Sequence, residues 1–379
     1  MRRVYASTIL LAVLFLACSY TPVRPASVAG QPAESTPVSA APPAPATQEA
    51  FASIPLHVGF GLRGSWYELY FTDPANSASG QLSGGIDGPL VKAIDGARLS
   101  VHAAMYSLTL HDVRDALIRG HRRGIDVKVV MESDNLDAQD PERLKEAGIP
   151  LLGDRREGLM HNKFIVIDDS EVWTGSMNYT SSGAYLDNNV MMRLRAKEIA
   201  DDYEAEFAEM FGDDHFGPDP GSRTPYPRVT VDGTLVEVYF SPDDHVETAL
   251  TQLVRGARSS VEFLAYSFTS NALGEALLRA KAAGLSVSGV IDADQGSSGA
   301  GSELPAFQSA GLDVRLDGNP GQMHEKVMIV DRQVVVLGSY NFTASAAKSN
   351  DENLVVIHDP FLAQQFMQEF QRVYDEAPP

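Results

Sequence analysis

The chain of 379 residues contains a single cysteine, Cys18, so no disulfide can form within one molecule. It also lacks an excess of basic residues: 30 Lys and Arg stand against 50 Asp and Glu, a net charge of −20. Proteins that bind nucleic acid through its phosphate backbone usually present a broad basic face. The composition excludes such a face for the chain as a whole and leaves only a local basic cleft open. Solubility alone explains an acidic surface equally well.

Long apolar runs are also missing, apart from residues 9–17, which follow the basic start Met1-Arg2-Arg3. This run is too short to span a bilayer comfortably and is typical of a secretory signal. Leu16-Ala17-Cys18 resembles the end of a bacterial lipoprotein signal, in which the cysteine is lipidated, although Phe15 departs from the usual aliphatic residue. We therefore expect residues 1–18 to be a signal peptide. The protein would be exported, either as a cell-envelope lipoprotein held at the membrane through Cys18 or as a secreted protein.

The segment after this signal is rich in Pro, Ala, Ser and Thr and has no periodic apolar pattern. Such a segment cannot bury enough surface to offset the entropy of ordering it. Residues 19–55 are therefore predicted to be a disordered tether.

From about residue 56 the sequence contains the same arrangement twice. Each copy has a strand-like run, a helical stretch and a second buried-strand pattern. These segments are 100–108, 111–123 and 125–131 in the first copy, and 260–268, 272–283 and 285–291 in the second. This order favours α/β architecture, a sheet covered by helices. The acidic, proline-containing stretch 213–227 marks the junction, so the repeats are predicted to span 56–222 and 223–379.

Both repeats contain one pattern: His-x-Lys, an Asp five residues after the Lys, and Gly-Ser-x-Asn after six further residues. The first copy is His161, Lys163, Asp168 and Gly175-Ser176-Met177-Asn178; the second is His324, Lys326, Asp331 and Gly338-Ser339-Tyr340-Asn341. All fixed positions and every gap agree, and a given start matches by chance on the order of 10⁻⁸ of the time. The agreement is therefore not accidental.

The spacing predicts a hairpin in each repeat. Residues two apart in a strand share a face, so His161 and Lys163 point the same way. A turn centred on Asp169-Ser170 would set Asn178 opposite His161 and Ser176 opposite Lys163. The second hairpin would set Asn341 opposite His324 and Ser339 opposite Lys326. Each hairpin is thus predicted to gather His, Lys, Ser and Asn at one end.

This set of side chains suits phosphate chemistry. Lys supplies a positive charge, and Asn and Ser supply neutral donors for the phosphate oxygens. One imidazole can attack phosphorus, while a second, protonated imidazole gives its proton to the leaving alcohol and later takes one from water. The reaction needs two histidines on opposite sides of one phosphorus. Two identical repeats facing each other across a pseudo-twofold axis would provide them.

The doubled motif resembles the signature of the phospholipase D superfamily, and the resemblance covers nearly everything after residue 56. It implies an α/β fold of two α/β/α sandwich repeats related by a pseudo-twofold axis, with one shared interfacial active site and neither metal nor cofactor. It also implies that His161 forms a covalent phosphohistidine and that His324 is the general acid and base.

The remaining motif residues take their roles from the same resemblance. The phosphate would be held by Lys163, Lys326, Asn178 and Asn341, with support from Ser176 and Ser339. Asp168 and Asp331 are predicted to be structural, because strand parity turns them away from His and Lys.

One position departs from the family pattern, in which an acidic residue downstream of each motif orients a histidine. Glu352 matches that position in the second repeat. In the first repeat the best-aligned place, within Leu186-Asp187-Asn188-Asn189, holds asparagine. Either Asp187, one or two residues before the aligned position, orients the histidine, or one histidine has no carboxylate partner. The assignment of the nucleophile depends on which of these holds.

Two further groups of residues are predicted to be structural. Tyr106 and Tyr266 end strand-like runs, and we expect them to pack in the core rather than contact substrate. The other histidines lack metal-ligand spacing; these are His57, His102, His111, His121, His215, His245 and His358.

Together these features predict a monomeric enzyme that hydrolyses phospholipid head-group phosphodiesters. Predicted export, the tether and the acidic charge favour lipid or small diesters as substrates. The alternative is a metal-independent endonuclease of the same superfamily acting on DNA or RNA. A transferase like cardiolipin synthase would use the same site, but no membrane-spanning pattern follows the signal. A non-catalytic binding module would require lost motif residues, and none is missing.

Overall fold

The computed structural model describes residues 51–218, 224–298 and 301–378. The predicted signal peptide, Cys18 and most of the predicted tether lie outside these residues. The strands of the first repeat are Ala52–Ile54 (β1), Phe60–Arg63 (β2), Tyr67–Phe71 (β3), Ser100–Met105 (β4), Asp126–Met131 (β5), Leu151–Gly153 (β6), Lys163–Ile167 (β7), Glu171–Gly175 (β8) and Val190–Leu194 (β9). Its helices are Asp87–Gly96 (α1), His111–Arg122 (α2), Gln139–Glu146 (α3), Ser181–Tyr185 (α4) and Lys197–Asp213 (α5).

The second repeat has the same central elements in the same order, with one edge strand fewer and one helix more. Its strands are Arg228–Val231 (β10), Thr234–Ser241 (β11), Ser260–Ala265 (β12), Ser286–Ile291 (β13), Asp313–Leu316 (β14), Lys326–Val330 (β15), Val334–Gly338 (β16) and Glu352–Ile357 (β17). Its helices are Val246–Gly256 (α6), Asn271–Ala282 (α7), Ala293–Ser298 (α8), Leu304–Ser309 (α9), Ala344–Lys348 (α10) and Pro360–Glu376 (α11).

Each repeat forms one mixed sheet. The strand order β3-β9-β8-β7-β4-β5-β6 in the first sheet recurs as β11-β17-β16-β15-β12-β13-β14 in the second. Within each sheet the three strands at one end are parallel, and the central pairs β4–β7 and β12–β15 are antiparallel. The predicted α/β repeat is therefore confirmed.

Helices cover both faces of each sheet. The long helices α5 and α11 share one central hydrophobic core with the inner faces of both sheets. The outer face of the first sheet packs against α1 and α2, and that of the second against α6 and α7. Each repeat is thus an α/β/α sandwich, and the two repeats are joined through a common core.

The strand that begins at Lys163 illustrates why the motif strands are continuously apolar. In β7, Phe164 and Val166 face the central core, whereas Ile165 and Ile167 face the outer one. Because both sheet faces are covered by helices, every residue after the lysine is buried. The polar end of the strand is consequently its beginning, where His161 and Lys163 lie.

The predicted hairpin register is wrong by one residue. Ile167 pairs with Glu171 and Phe164 with Thr174, so Lys163 comes opposite Gly175 rather than Ser176. The cause is the turn: Asp168 and Asp169 have φ of 55° and 50°, which leaves a loop of three residues instead of two.

The second hairpin has the same form. Val330 pairs with Val334, so Asn341 and Ser339 are likewise shifted by one from the predicted partners His324 and Lys326. Asp331 and Arg332 both have φ of 54°.

The folded part begins earlier than predicted. Ala52–Ile54 pairs with Gly61–Arg63 as a sheet edge, inside the range 19–55 that was predicted to be disordered. Among the described residues, no helix is both long and apolar enough to cross a membrane.

Candidate active site

The two motif histidines lie where the repeats meet, just before β7 and β15. The backbone N–H of His161 donates to the carbonyl oxygen of Asp351 at 2.9 Å, and that of His324 donates to the carbonyl oxygen of Asn188 at 3.0 Å. These contacts are reciprocal, as in a twofold arrangement, because each repeat supports the motif of the other. The two motifs therefore form one site.

Each histidine ring is held by a side chain from the opposite repeat. Nδ1 of His161 lies 2.7 Å from Oε2 of Glu352, and Nδ1 of His324 lies 3.0 Å from Oδ1 of Asn189. The orienting residue downstream of one motif thus serves the histidine of the other repeat. His161 has its carboxylate, and His324 is the histidine paired with an amide.

The suggestion that Asp187 serves a histidine is wrong. Its carboxylate accepts a hydrogen bond from the backbone N–H of Gln322 at 3.0 Å. It therefore holds the loop before the second motif, in which Asn188 donates its N–H to the carbonyl oxygen of Gln322.

The two motif lysines are buried beside the histidines. Nζ of Lys163 donates to the carbonyl oxygen of His161 at 2.8 Å, and Nζ of Lys326 donates to that of His324 at 2.7 Å. Each ammonium group also lies over an aromatic ring, 5.1 Å from Tyr106 for Lys163 and 4.7 Å from Tyr266 for Lys326. These contacts fix both positive charges in the centre of the site.

The prediction that Tyr106 and Tyr266 are core residues is wrong. Each follows the last residue of a central strand and is only partly buried. Their ring centroids lie 4.9 Å and 4.7 Å from the rings of His161 and His324. Sequence reasoning missed them because an aromatic residue at a strand end fits the core and the site pattern equally well.

The serine and asparagine residues of the motif lie in the loops after β8 and β16. Oγ of Ser176 donates to Oδ1 of Asn189 at 2.8 Å, and Oγ of Ser339 accepts from the backbone N–H of Asn353 at 3.0 Å. Oδ1 of Asn178 and Oδ1 of Asn341 are buried and have no hydrogen-bond partner among the described residues. An amide oxygen can only accept a hydrogen bond, so a phosphate would be held by the Nδ2 groups of these two asparagines and not by Oδ1.

The motif aspartates lie at the other end of the strands. Asp168 accepts hydrogen bonds from the backbone N–H groups of Arg98, Leu99 and Ser100 at 2.7–3.2 Å. Asp331 makes the equivalent bonds to residues 258–260. Both aspartates fix the turn and the start of a neighbouring strand.

Burial and like charges lower the proton affinity of the basic groups. Burial, then Lys163 and Lys326, hold the pKa of His161 well below 6.5; burial, then Lys326, Lys163 and His161, do the same to the pKa of His324. Burial lowers the pKa of Lys163 to about 7, and burial with the charge of Lys163 lowers that of Lys326 well below 10.5. Burial raises the pKa of Glu352 to about 7, against the opposing effect of Lys163. The site would therefore bind an anion favourably.

A possible metal-ligating group lies away from this site. Side chains of His102, Asp169 and Glu204 come within 4.8 Å of one another. Nδ1 of His102 is already paired with Glu204 at 2.7 Å, and its Nε2 lies 3.4 Å from Asp126. These contacts give His102 a structural role in holding α5 against β4.

Comparison with known proteins agrees with this geometry. A family model described as "Cardiolipin synthase, PLD-like domain" matches residues 90–211 and 250–374, which is more than half of the chain. The chain belongs to this phospholipase D-like family. Each of the two matched stretches contains one histidine of the site.

Individual members of the family match part of the chain. The mitochondrial cardiolipin hydrolase of Homo sapiens is 36% identical over 138 residues, which are 36% of this chain and 54% of that protein. The phospholipase D of Rickettsia bellii is 33% identical over 153 residues, 39% of this chain and 76% of that protein. The chain thus spans about half the length of the human relative.

A solved structure matches both repeats. The phosphatidylserine synthase of Haemophilus influenzae superposes with a TM-score of 0.62 at 16% identity, covering 85% of this chain and 89% of that one. This likeness confirms the two-repeat fold.

Proposed function

We propose that this chain hydrolyses phospholipid head-group phosphodiester bonds through a covalent phosphohistidine intermediate. The observation that carries the proposal is the convergence of His161 and His324, each held at Nδ1 by the other repeat, beside the buried cations Lys163 and Lys326. Because Nδ1 of each ring is hydrogen-bonded, Nε2 is the nitrogen that can attack phosphorus or transfer a proton.

The first half of the reaction transfers the phosphoryl group to the protein. The lone pair on Nε2 of neutral His161 forms a bond to phosphorus, and the bond between phosphorus and the leaving alcohol breaks. Protonated His324 gives its Nε2 proton to the leaving oxygen, so the alcohol departs neutral. Glu352 stabilises the positive charge that develops on the imidazole of His161.

The second half reverses these roles. Neutral His324 takes a proton from water while the water oxygen attacks phosphorus, and the bond to His161 breaks with its electron pair returning to nitrogen. The products are a phosphomonoester and an alcohol. Lys163, Lys326, Asn178 and Asn341 would stabilise the phosphate oxygens during both steps.

Charge near the site favours a lipid or small diester over a polynucleotide. Carboxylates of Asp292 and Asp187 act on Tyr266, and those of Glu132 and Asp134 act on Tyr106, adding to burial in raising the pKa of each phenol. The net charge of −20 also disfavours a long polyanion more than a single diester. The names of the curated relatives, cardiolipin hydrolase and phospholipase D, support the same choice.

The test is a substrate panel with purified full-length chain and a chelator present. The panel contains phosphatidylcholine, phosphatidylglycerol, cardiolipin, single-stranded and duplex DNA, and RNA. We expect head-group release without strand cleavage, lost in His161→Ala and kept in His245→Asn, an exposed control whose φ of 53° suits asparagine. Cleavage of nucleic acid without lipid hydrolysis would instead establish the endonuclease alternative.

We also propose that the protein is exported and lipidated at Cys18, on the sequence pattern around that residue. A lipid at this position would hold the enzyme at a membrane through the following proline-rich segment. Wild-type chain should incorporate labelled palmitate and sediment with membranes, and Cys18→Ser should do neither. Unlabelled, soluble wild-type protein would contradict this.

A further inference from the structure

The two histidines of the site have chemically different partners at equivalent positions. Asn189 follows Ser176 by thirteen residues, as Glu352 follows Ser339. Through these positions the ring of His161 is paired with a carboxylate and the ring of His324 with a neutral amide. The two partners differ in charge and, by one methylene group, in side-chain length.

The orientation of the Asn189 amide is fixed by its surroundings. Its Nδ2 donates to the carbonyl oxygen of Gly183 at 2.9 Å, and its Oδ1 accepts from the hydroxyl of Ser176 at 2.8 Å. Its backbone N–H donates to Oγ1 of Thr72 at 2.7 Å, and the residue is fully buried. Since a carbonyl oxygen can only accept, the amide oxygen is the atom that faces His324. Nδ1 of His324 must then carry a proton, which leaves Nε2 for the substrate.

The difference between the partners decides which proton transfer each ring performs well. A carboxylate stabilises the positively charged imidazole, so it assists a ring that becomes positive on bonding to phosphorus. An amide oxygen orients the ring but stabilises its charge much less, so the ring releases its proton more readily.

We propose that Asn189 is a positioning residue that holds His324 through a neutral acceptor, so that this ring releases its proton more readily than the ring of His161, which is paired with Glu352. The proposal rests on the proposed function for its catalytic meaning. The claim that Asn189 controls the protonation of His324 depends only on the contacts of Asn189 described above.

Other charged groups near His324 would stay the same in variants of residue 189. Lys326, Lys163 and His161 act on its charge directly. Tyr266 packs against the ring, Asp292, Glu325 and Glu352 act on Lys326, and Lys326 acts on Asp187. A change confined to His324 is therefore attributable to residue 189.

The test compares Asn189→Glu with Asn189→Ala in the full-length chain. The first variant introduces the residue that the second repeat has at the equivalent position, Glu352. We expect Asn189→Glu to raise the pKa of His324 by about one unit or more. An NMR titration of histidine-labelled protein measures this pKa. The alkaline limb of phosphatidylcholine hydrolysis should also move upward. Asn189→Ala should lower kcat without an upward shift, and Asn189→Asp replaces the glutamate variant if that one does not fold.

A second readout separates proton donation from packing. A p-nitrophenyl phosphodiester releases an alcohol that leaves without being protonated, so its burst rate should be nearly equal in wild type and Asn189→Glu. An unchanged His324 pKa together with an unchanged alkaline limb would overturn the inference. Failure of wild-type protein to cleave any diester would refute the proposed function instead, and the NMR titration would still decide whether Asn189 controls His324.

Discussion

Oδ1 of Asn353, in the second repeat, accepts a hydrogen bond at 2.6 Å from the hydroxyl of Thr174, in the first. Nδ2 of the same asparagine donates to Oδ1 of Asn162 at 2.9 Å. Asn353 follows Glu352 and Asn162 follows His161, so this buried contact ties the two residues that must pair across the interface. The catalytic pair and the interface between the repeats are thus one structural unit.

Replacing Asn353 with alanine should destabilise the fold. The change leaves Asn162 and Thr174 with buried polar atoms that have lost their partner, at a cost of about 1–3 kcal/mol each. We expect the free energy of unfolding to fall by about 2–4 kcal/mol, measured by urea denaturation. Asn271→Ala, at an exposed position, is the matched control and should change it little. Equal losses in both variants would contradict an interface role for Asn353.

Removing His324 should trap the intermediate on His161. With His324→Ala, a p-nitrophenyl phosphodiester can still phosphorylate His161 because its leaving group needs no proton, but no base remains to activate water. We expect one equivalent of acid-labile phosphate, located by mass spectrometry in the peptide that contains His161. His161→Ala should give none. Label on neither histidine would rule out the covalent intermediate.

Hydrolysis should have a bell-shaped pH dependence, because one ring must be neutral while the other is protonated. Burial and the lysines lower the pKa of both histidines below 6.5 in the free protein. His161 must be neutral, so activity is lost as pH falls through its pKa; His324 must be protonated, so activity is lost as pH rises through its own. The two limbs belong to the coupled pair.

The profiles of kcat/KM and kcat should lie at different pH. A bound phosphodiester anion offsets the lysine charges that lower the pKa of both rings, so both limbs of kcat should lie at higher pH than those of kcat/KM. Both profiles would be recorded at constant ionic strength. A kcat/KM that rises steadily through neutrality would show that the reaction does not need one neutral and one protonated histidine.

The sequence predicted the fold and the set of motif residues because both depend on local pattern. The apolar run after Lys163 and the repeated spacing around His161 and His324 required two buried hairpins with polar ends. The turn residues limited this prediction: the positive φ of Asp168 and Asp169 adds one residue to the loop, which shifts every later pair.

The pairing of the histidines could not be predicted, because it depends on contacts between the repeats. His161 and Glu352 are 191 residues apart, and His324 and Asn189 are 135 apart. Alignment of the repeats locates Asn189 and Glu352 but does not tell which ring each one meets. Only the arrangement of the repeats assigns the amide to His324.

Lys326 illustrates a conflict between function and stability, and Lys326→Met should separate the two. The ammonium group is buried, and burial and Lys163 lower its pKa well below the 10.5 of the unfolded chain. The unfolded chain therefore binds this proton more tightly, and the charge costs stability at all pH values below about 10.5. Methionine should remove the phosphate contact and lower activity at least about 10²-fold, yet raise the free energy of unfolding at pH 7. That gain should fade as pH rises towards 10.5, measured by urea denaturation at pH 7 and pH 10.

Lys92→Met, at an exposed lysine, is the control and should change neither activity nor the free energy of unfolding. A Lys326→Met variant that is less stable than wild type at pH 7 would mean that the lysine stabilises the fold.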